Sequence, residues 1–310
     1  MQRGSATMSA HTLRTLLVAL LIGTLLVQVF ARKMDRLDRA CLWRAILYRR
    51  SFGDGSTFSH RLHFVRKFLL VPFRDHTYFA HFTGGGIYGV FVYEAHPELA
   101  HRTNSKLFWN AVFASHDISH PTLVAVNAHG TLDVLAPIDP NEWYIRKPDS
   151  GMGGASITKV KGSEVRAEAG AKWIVQRLLR DCSGMARSFR FVSLHDGTRF
   201  VLWELSNSGT VSNGIAGGTA RLCEHEVCTA REDDEQLVLT ALIDRLASLH
   251  VAEFGQIFSI GWDLMIDCPT RQSYVLEGNL CHGTWFYPTD VPAGLIDDFK
   301  RRCRLFNGIR

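Results

Sequence analysis

The stretch from Phe258 to Asn279, FSIGWDLMID-CPTRQ-SYVLEGN, constrains this chain more than any other. Two runs rich in apolar and β-forming residues flank a short polar segment containing a proline, the pattern of an antiparallel hairpin. If the turn centres on Thr270, residue 267 lies opposite 273, 265 opposite 275, and Asp263 opposite Glu277. Asn279, two residues further on, shares the face of Glu277. Two carboxylates and an amide oxygen then converge. Like charges directly across a ladder destabilise a sheet, so such a face calls for a cation or for one protonated carboxyl. Hard oxygen donors without a paired thiol or imidazole suit Mg²⁺ or Mn²⁺, and a Mg²⁺ with few protein ligands completes its shell with substrate phosphates. A slip of one residue in register would separate the two carboxylates.

A second feature is Tyr144-Ile-Arg-Lys147-Pro-Asp-Ser-Gly151-Met-Gly153-Gly154. Glycines let backbone N–H groups approach phosphate oxygens, and a lysine just before them adds a fixed positive charge. The lysine precedes the glycines, so this is not a Walker A loop, and it is not GxGxxG either. There is no G-x-S-x-G and no Cys/His arrangement that reads as a side-chain nucleophile. Cys223-Glu-His225-Glu-Val-Cys228 is too irregular for a zinc site.

Around these features the chain alternates helices with hairpin-connected strands, an α+β body. Asn104-Ser105 caps a helix carrying Leu107, Phe108, Ala111 and Val112. Strands are expected at 122–126, 143–147 and 155–160, a helix running into a strand over 167–179, and a hairpin at 189–194 and 199–205. A long amphipathic helix over 234–253 ends at Gly255, strands follow at 256–266 and 273–278, and a basic helix begins near Pro292. Residues 60–100 read as short strands and loops.

Charge is unevenly placed. Residues 1–50 hold nine Lys/Arg against two Asp, net +7, leaving 26 against 28, net −2, for the remaining 260 residues. A near-neutral body without a basic stripe excludes nucleic acid as the expected partner. Residues 15–31 carry no charge and are long enough for a membrane-spanning helix, or for the apolar part of a cleaved signal peptide. The basic flank after them places the body in the cytoplasm by the positive-inside rule, and secretion is the alternative if the segment is cleaved. Seven cysteines, an odd number without a CxxC pair, fit reduced thiols. The resulting divisions are 1–31 (anchor or signal segment), 32–100 (juxtamembrane helix and N-terminal subdomain), 101–290 (catalytic domain) and 291–310 (C-terminal helix). Nothing in the sequence fixes the oligomeric state.

A phosphate-type loop and an oxygen-ligand metal face, with Lys106 on the helix before, are the parts of a Mg-nucleotide site. Here the sequence resembles the ATP-grasp superfamily, most closely the branch called sugar-transfer-associated ATP-grasp. The matching segments are 104–126, 143–157, 173–179, 190–197, 212–218 and 260–279, in the family's order. The resemblance implies two α/β subdomains clasping a nucleotide, with ATP and Mg²⁺ (or Mn²⁺) as cofactors. It makes Lys147 and Lys106 ligands of the nucleotide phosphates and Gly151, Gly153 and Gly154 the loop covering them. The backbone of Gln176, Arg177 and Leu178 becomes the adenine wall, and Asp263, Glu277 and Asn279 become the metal ligands. Asn213, Gly217 and Gly218 match a motif expected near the substrate or phosphates. The implied reaction joins a carboxylate to an amine through an acylphosphate, with polysaccharide or envelope synthesis as the implied setting. A nucleotide-binding protein without turnover, or a kinase acting on a hydroxyl, would use the same parts. The chain departs from the pattern in having Gly261 and Trp262 where many relatives carry a cation; Arg190 is the candidate to replace it as a catalytic residue.

Overall fold

The computed structural model describes residue 23 and residues 95–150, 156–181, 186–207, 219–223, 233–280, 282 and 293–308. The segments expected as membrane anchor, juxtamembrane helix and glycine loop lie outside these, as do Asn213, Gly217 and Gly218. Among the described residues no helix is long and apolar enough to cross a membrane.

The chain forms two compact units, residues 92–295 and residues 1–91 with 296–310. The first opens with helices α1 (Pro97–Arg102) and α2 (Lys106–Ser115). Strands β1 (Leu123–Ala128), β2 (Thr131–Val134), β3 (Trp143–Pro148), β4 (Thr158–Lys161) and β5 (Lys172–Arg177) make one antiparallel sheet, ordered β2-β1-β5-β3-β4. Strands β6 (Ala186–Leu194), β7 (Arg199–Asn207), β8 (Thr219–Leu222), β9 (Ser259–Asp267) and β10 (Gln272–Asn279) make the other, ordered β10-β9-β6-β7-β8. Helix α3 (Asp233–Phe254) falls between β8 and β9, and α4 (Ala293–Phe306) follows β10.

The second sheet has two unlike faces because its strands alternate. Phe189 and Phe191 on β6 stand beside Leu264 and Trp262 on β9, and these bury with Leu242, Ile243 and Leu246 of α3 and Trp109 and Phe113 of α2. Intervening positions put Arg190 beside Asp263 on the opposite face. On the core side, a Cβ at Gly278 would stand 2.7 Å from the Trp109 indole and 2.9 Å from that of Trp262, so a residue without a side chain is required there. The first sheet has a smaller core of Val124, Ala125, Tyr144, Trp173 and Val175.

Several expectations are corrected. Residues 167–171 are not helical; only the strand portion forms, as β5. The Asn127 side chain accepts from the Glu168 N–H (3.0 Å) and donates to the carbonyls of Glu168 (2.9 Å) and Ala171 (2.7 Å), and Gly170 turns at φ +73°, so helical bonds are replaced by side-chain ones. Strand β2 was not expected; His129 and Gly130, at φ 56° and 101°, make the tight hairpin turn that joins it to β1. Helix α2 buries Trp109, Asn110 and Phe113, while Ala111 is exposed. The cysteine reading also fails, because Cys223 and Cys268 are both disulfide-bonded. They are not bonded to each other: β8 and β9 are separated by two strands, roughly 14 Å at ordinary strand spacing, and a disulfide needs Cα atoms within about 7 Å. Cys303 is free.

A buried polar chain ties α3 to the second sheet. The Trp262 indole N–H donates to Ser193 Oγ (2.8 Å), Ser193 bonds His250 Nδ1 (2.7 Å), and His250 Nε2 bonds the Ile257 carbonyl (2.9 Å). The carbonyl forces the Nε2–H tautomer, so Nδ1 accepts from Ser193. Burial lowers the His250 pKa to about 4. The unfolded chain, with an ordinary histidine near 6.5, therefore binds the extra proton first, and stability present above that value is lost as pH falls toward 4. We expect His250→Leu to lose less stability than the native chain between pH 7 and pH 4.5, by about 2 kcal/mol. Urea unfolding at both pH values checks this.

Candidate nucleotide and metal site

Glu277 does lie opposite Asp263, but by a different register than the turn alone predicts. Gln272 pairs with Asp267 and Val275 with Leu264, one residue off the expected alignment. A bulge between Val275 and Glu277 then adds one residue, so that Glu277 meets Asp263, Gly278 meets Trp262 and Asn279 meets Gly261. Without the bulge Asp263 would face Leu276.

Asp263 is held by Arg190 from the neighbouring strand, whose Nε bonds Oδ1 and whose Nη2 donates to Oδ2 at 3.0 Å. The Asn279 amide also donates to Oδ2, at 3.1 Å. Burial pushes the Asp263 carboxyl above its ordinary pKa; Arg190 opposes this and the Glu277 charge adds to it. Lys106 of α2 stands 3.8 Å from Glu277 Oε2. Lys147, buried on β3, is lowered to about 8 by desolvation and by Lys106, with Glu277 and Asp263 working the other way. Three cations from α2, β3 and β6 are thus within electrostatic reach of two carboxylates on β9 and β10.

Among the described residues no group of three or more His, Cys, Asp and Glu gathers as for a metal ion. The donor set here is two facing carboxylates and an amide. It fits a hard divalent cation that takes its remaining ligands from phosphate and water, and a cation would offset the burial and the Glu277 repulsion that raise Asp263.

The residue that positions both lysines is Asp149, which the sequence presents only as part of a turn. Its Oδ1 accepts from Ser105 Oγ (2.8 Å) and from the Leu107 N–H (3.0 Å), and its carbonyl accepts from the Lys106 N–H (2.8 Å). Ser105 Oγ in turn accepts from the Phe108 N–H (3.3 Å), as a helix cap does. Lys172 lies 2.7 Å from Oδ2. Burial would raise the Asp149 pKa, yet Lys172, the Leu107 N–H and Ser105 together hold it below the usual value. The start of α2, and Lys106 with it, is therefore pinned to the end of β3 two residues past Lys147. The two partners are 44 residues apart in sequence, and no local pattern signals the contact.

Gln176, Arg177 and Leu178 are placed as the end of β5 and the start of the linker to β6. The Gln176 side chain is buried and donates to Asn110 Oδ1 (3.1 Å), while Asn110 donates to the Lys106 carbonyl (2.8 Å), so this side chain ties α2 to the first sheet. Arg177 Nη2 reaches Asp267 at 3.5 Å. Gly261 has no room for the cation that the resemblance leads one to expect: a Cβ there would lie 2.4 Å from His282 Cβ and 3.3 Å from Arg190 Cδ. Arg190 and His282 fill that space. Gly151, Gly153 and Gly154 lie outside the described residues.

Asp149→Ala is expected to cost about 2 kcal/mol, since it removes a helix cap and leaves Lys172 without its buried partner. It should also weaken anion binding at Lys106. Urea unfolding and a titration with Mg-tripolyphosphate check the two effects.

No family model matches the chain, and no curated protein matches it. Among solved structures it is similar to the D-cycloserine synthetase DcsG, at 17% identity and a TM-score of 0.46 over 68% of this chain and 72% of that one. It is similar to the ATP-grasp ligase PsnB, in complex with minimal precursor, Mg and ADP, at 15% identity and 0.42 over 67% of this chain and 61% of that one. A D-alanine–D-alanine ligase from Bacillus anthracis, complexed with ATP, shows 11% identity and 0.44 over 66% of each chain.

Proposed function

We propose that this chain is a Mg-ATP-dependent ligase that joins a carboxylate to an amine. The observation that carries the reading is the convergence of Lys106, Lys147 and Arg190 on the facing pair Asp263 and Glu277. Such a set neutralises a polyphosphate and the charge of a transferring phosphoryl group, and it contains no hydroxyl, thiol or imidazole to capture that group.

In this reading Lys147 and Lys106 bind the β- and γ-phosphates, and the nucleoside lies against the end of β5. Asp263, Glu277 and Asn279 would hold Mg²⁺, which supplies charge neutralisation at the phosphates when bound. A carboxylate oxygen of the acid substrate attacks the γ-phosphorus as the bond from that phosphorus to the bridging oxygen breaks, and ADP leaves with the electron pair. The amine nitrogen then attacks the acyl carbon, phosphate leaves with the C–O electrons, and the amine proton passes to phosphate or water. Arg190, released from Asp263, is placed to stabilise the transferring phosphoryl oxygens. Burial of the site protects the acylphosphate from water.

A second reading has its own observation. Arg190 grips both oxygens of Asp263, which suits a protein that binds nucleotide without turnover.

Three measurements on the chain test these readings. A Mg-dependent thermal shift with ATP is expected in the native chain and absent in Lys147→Ala, with a binding energy of about 2.7 kcal/mol added at a hundredfold ligand excess over Kd. ATP affinity should fall as pH rises through about 8, because Lys147 loses its proton there, and Lys147→Arg should abolish that dependence. Hydroxylamine in place of the amine, with a panel of carboxylic acids, should give ADP and a hydroxamate. Binding without ADP release selects the second reading; no Mg-ATP shift at all overturns both.

A further inference from the structure

Gly261 lies on β9 between Ser259 and Asp263, so these three positions share one face of the strand, the face on which Arg190 of β6 meets Asp263. The space that a side chain at Gly261 would take is filled from two directions. His282, just past the end of β10, brings its Cβ to 2.4 Å and its Cγ to 2.9 Å of the point where that side chain would begin. The Arg190 stem brings Cδ to 3.3 Å of the same point. Imidazole and arginine therefore stand together over a residue that has no side chain of its own.

The imidazole is fixed at its far end as well. Its Nε2 is hydrogen-bonded to Ser259 Oγ at 2.9 Å, and both residues are buried. Burial and the Arg190 charge, with His250 adding to them, lower the His282 pKa to about 3, so the ring is neutral. A neutral ring neither repels the guanidinium nor competes for it as a second carboxylate would. It acts by occupying space.

That space matters when Arg190 lets go. Its Nε and Nη2 hold the two oxygens of Asp263, and Asp263 must be released from this grip to serve as a metal ligand. A released arginine has many rotamers, most of them pointing away from any phosphoryl group. With His282 and the β9 backbone against its stem, Arg190 keeps its Cδ in place and moves only its guanidinium. Orientation held in advance lowers a reaction barrier without strengthening ground-state binding.

We propose that His282, anchored on Ser259, is a positioning residue for Arg190: it holds the arginine stem over Gly261, so that the guanidinium moves only between Asp263 and the transferring phosphoryl group. The catalytic half of this rests on the ligase reading above; the holding of Arg190 on Asp263 does not.

The first test is hydrogen exchange at the Arg190 Nε–H, followed by NMR on the chain carrying isotope-labelled arginine, without nucleotide. The signal is assigned by its loss in Arg190→Lys. Exchange is expected to be about tenfold faster in His282→Ala than in the native chain, and close to native in His282→Gln, whose amide can keep the bond to Ser259. The second test is hydroxamate formation at saturating Mg-ATP, where kcat should fall about tenfold in His282→Ala while the KM for ATP stays within about twofold. On an Arg190→Lys background the same substitution should cost nothing further, because the two residues act as a unit. Unchanged Nε–H exchange in His282→Ala overturns the proposal, as does a kcat loss that adds in full to that of Arg190→Lys. A merely structural role would move KM with kcat and would not be rescued by glutamine, and that pattern overturns it too. If His282→Ala does not fold by circular dichroism, Ser259→Ala, which keeps the imidazole and removes its anchor, takes its place with a smaller effect expected. A native chain that forms no hydroxamate defeats the ligase reading and the catalytic half with it, while the exchange measurement decides by itself whether His282 holds Arg190.

Discussion

Two carboxylates face each other across the β9–β10 ladder on a half-buried surface, and much of the first unit is arranged around that repulsion. A sheet does not tolerate such a pair without compensation. Arg190 comes from the adjacent strand, Lys106 from the first turn of α2 and Lys147 from the other sheet, so the compensation draws on three elements that are distant in sequence. Burial raises Asp263 and lowers Lys147, so desolvation disfavours the charged form of each and an opposite charge brought beside it favours that form. A site in that condition is prepared for an anion and a cation together, as a metal–polyphosphate complex provides.

Helix α2 transmits this requirement to the rest of the fold. Its N-terminus is fixed by Asp149, its middle by the Asn110–Gln176 bond, and its apolar side by Trp109 against Trp262, with ring centroids 5.4 Å apart. The Trp109 indole N–H is satisfied by the Thr103 carbonyl at 2.8 Å, so the ring is placed by a polar bond as well as by packing. Gly278 is the counterpart of this placement: it stands between Glu277 and Asn279 and admits Trp109 to the opposite face of the same strand. One strand thus carries the site on one side and the helix that supports it on the other.

The hairpin was legible in the sequence because period-two alternation is a local property, and so were the long helix α3 and the cap at Ser105. The opposition of Asp263 and Glu277 was read correctly through two offsetting departures, a turn one residue out of register and an unforeseen bulge. What escaped depends on contacts between distant segments. Asn127 replaces the helix expected over 167–171 with side-chain bonds, Asp149 reaches back to α2, and Asp267 reaches the linker. Each is a short polar residue whose role is set by what the tertiary fold brings to it, and none has a spacing that marks it. Cysteine parity misled for a related reason: an odd total says nothing about which thiols meet.

Sulfur and charge now pull in different directions on where the chain works. The basic flank after residue 31 is a bias that keeps a body cytoplasmic, and it acts through insertion. Structural disulfides act through equilibrium: they persist in an oxidising compartment and are reduced by cytosolic thiols. Cys268 lies on the β9–β10 turn beside Asp267, and its N–H bonds the Arg180 carbonyl of the segment that joins the two sheets. The linker is held there by Asp267, which accepts from the Arg180 N–H, and by the Cys268 N–H, which donates to the Arg180 carbonyl. The same turn that completes the carboxylate hairpin therefore also fixes the connection between the two sheets, through the buried carboxylate of Asp267.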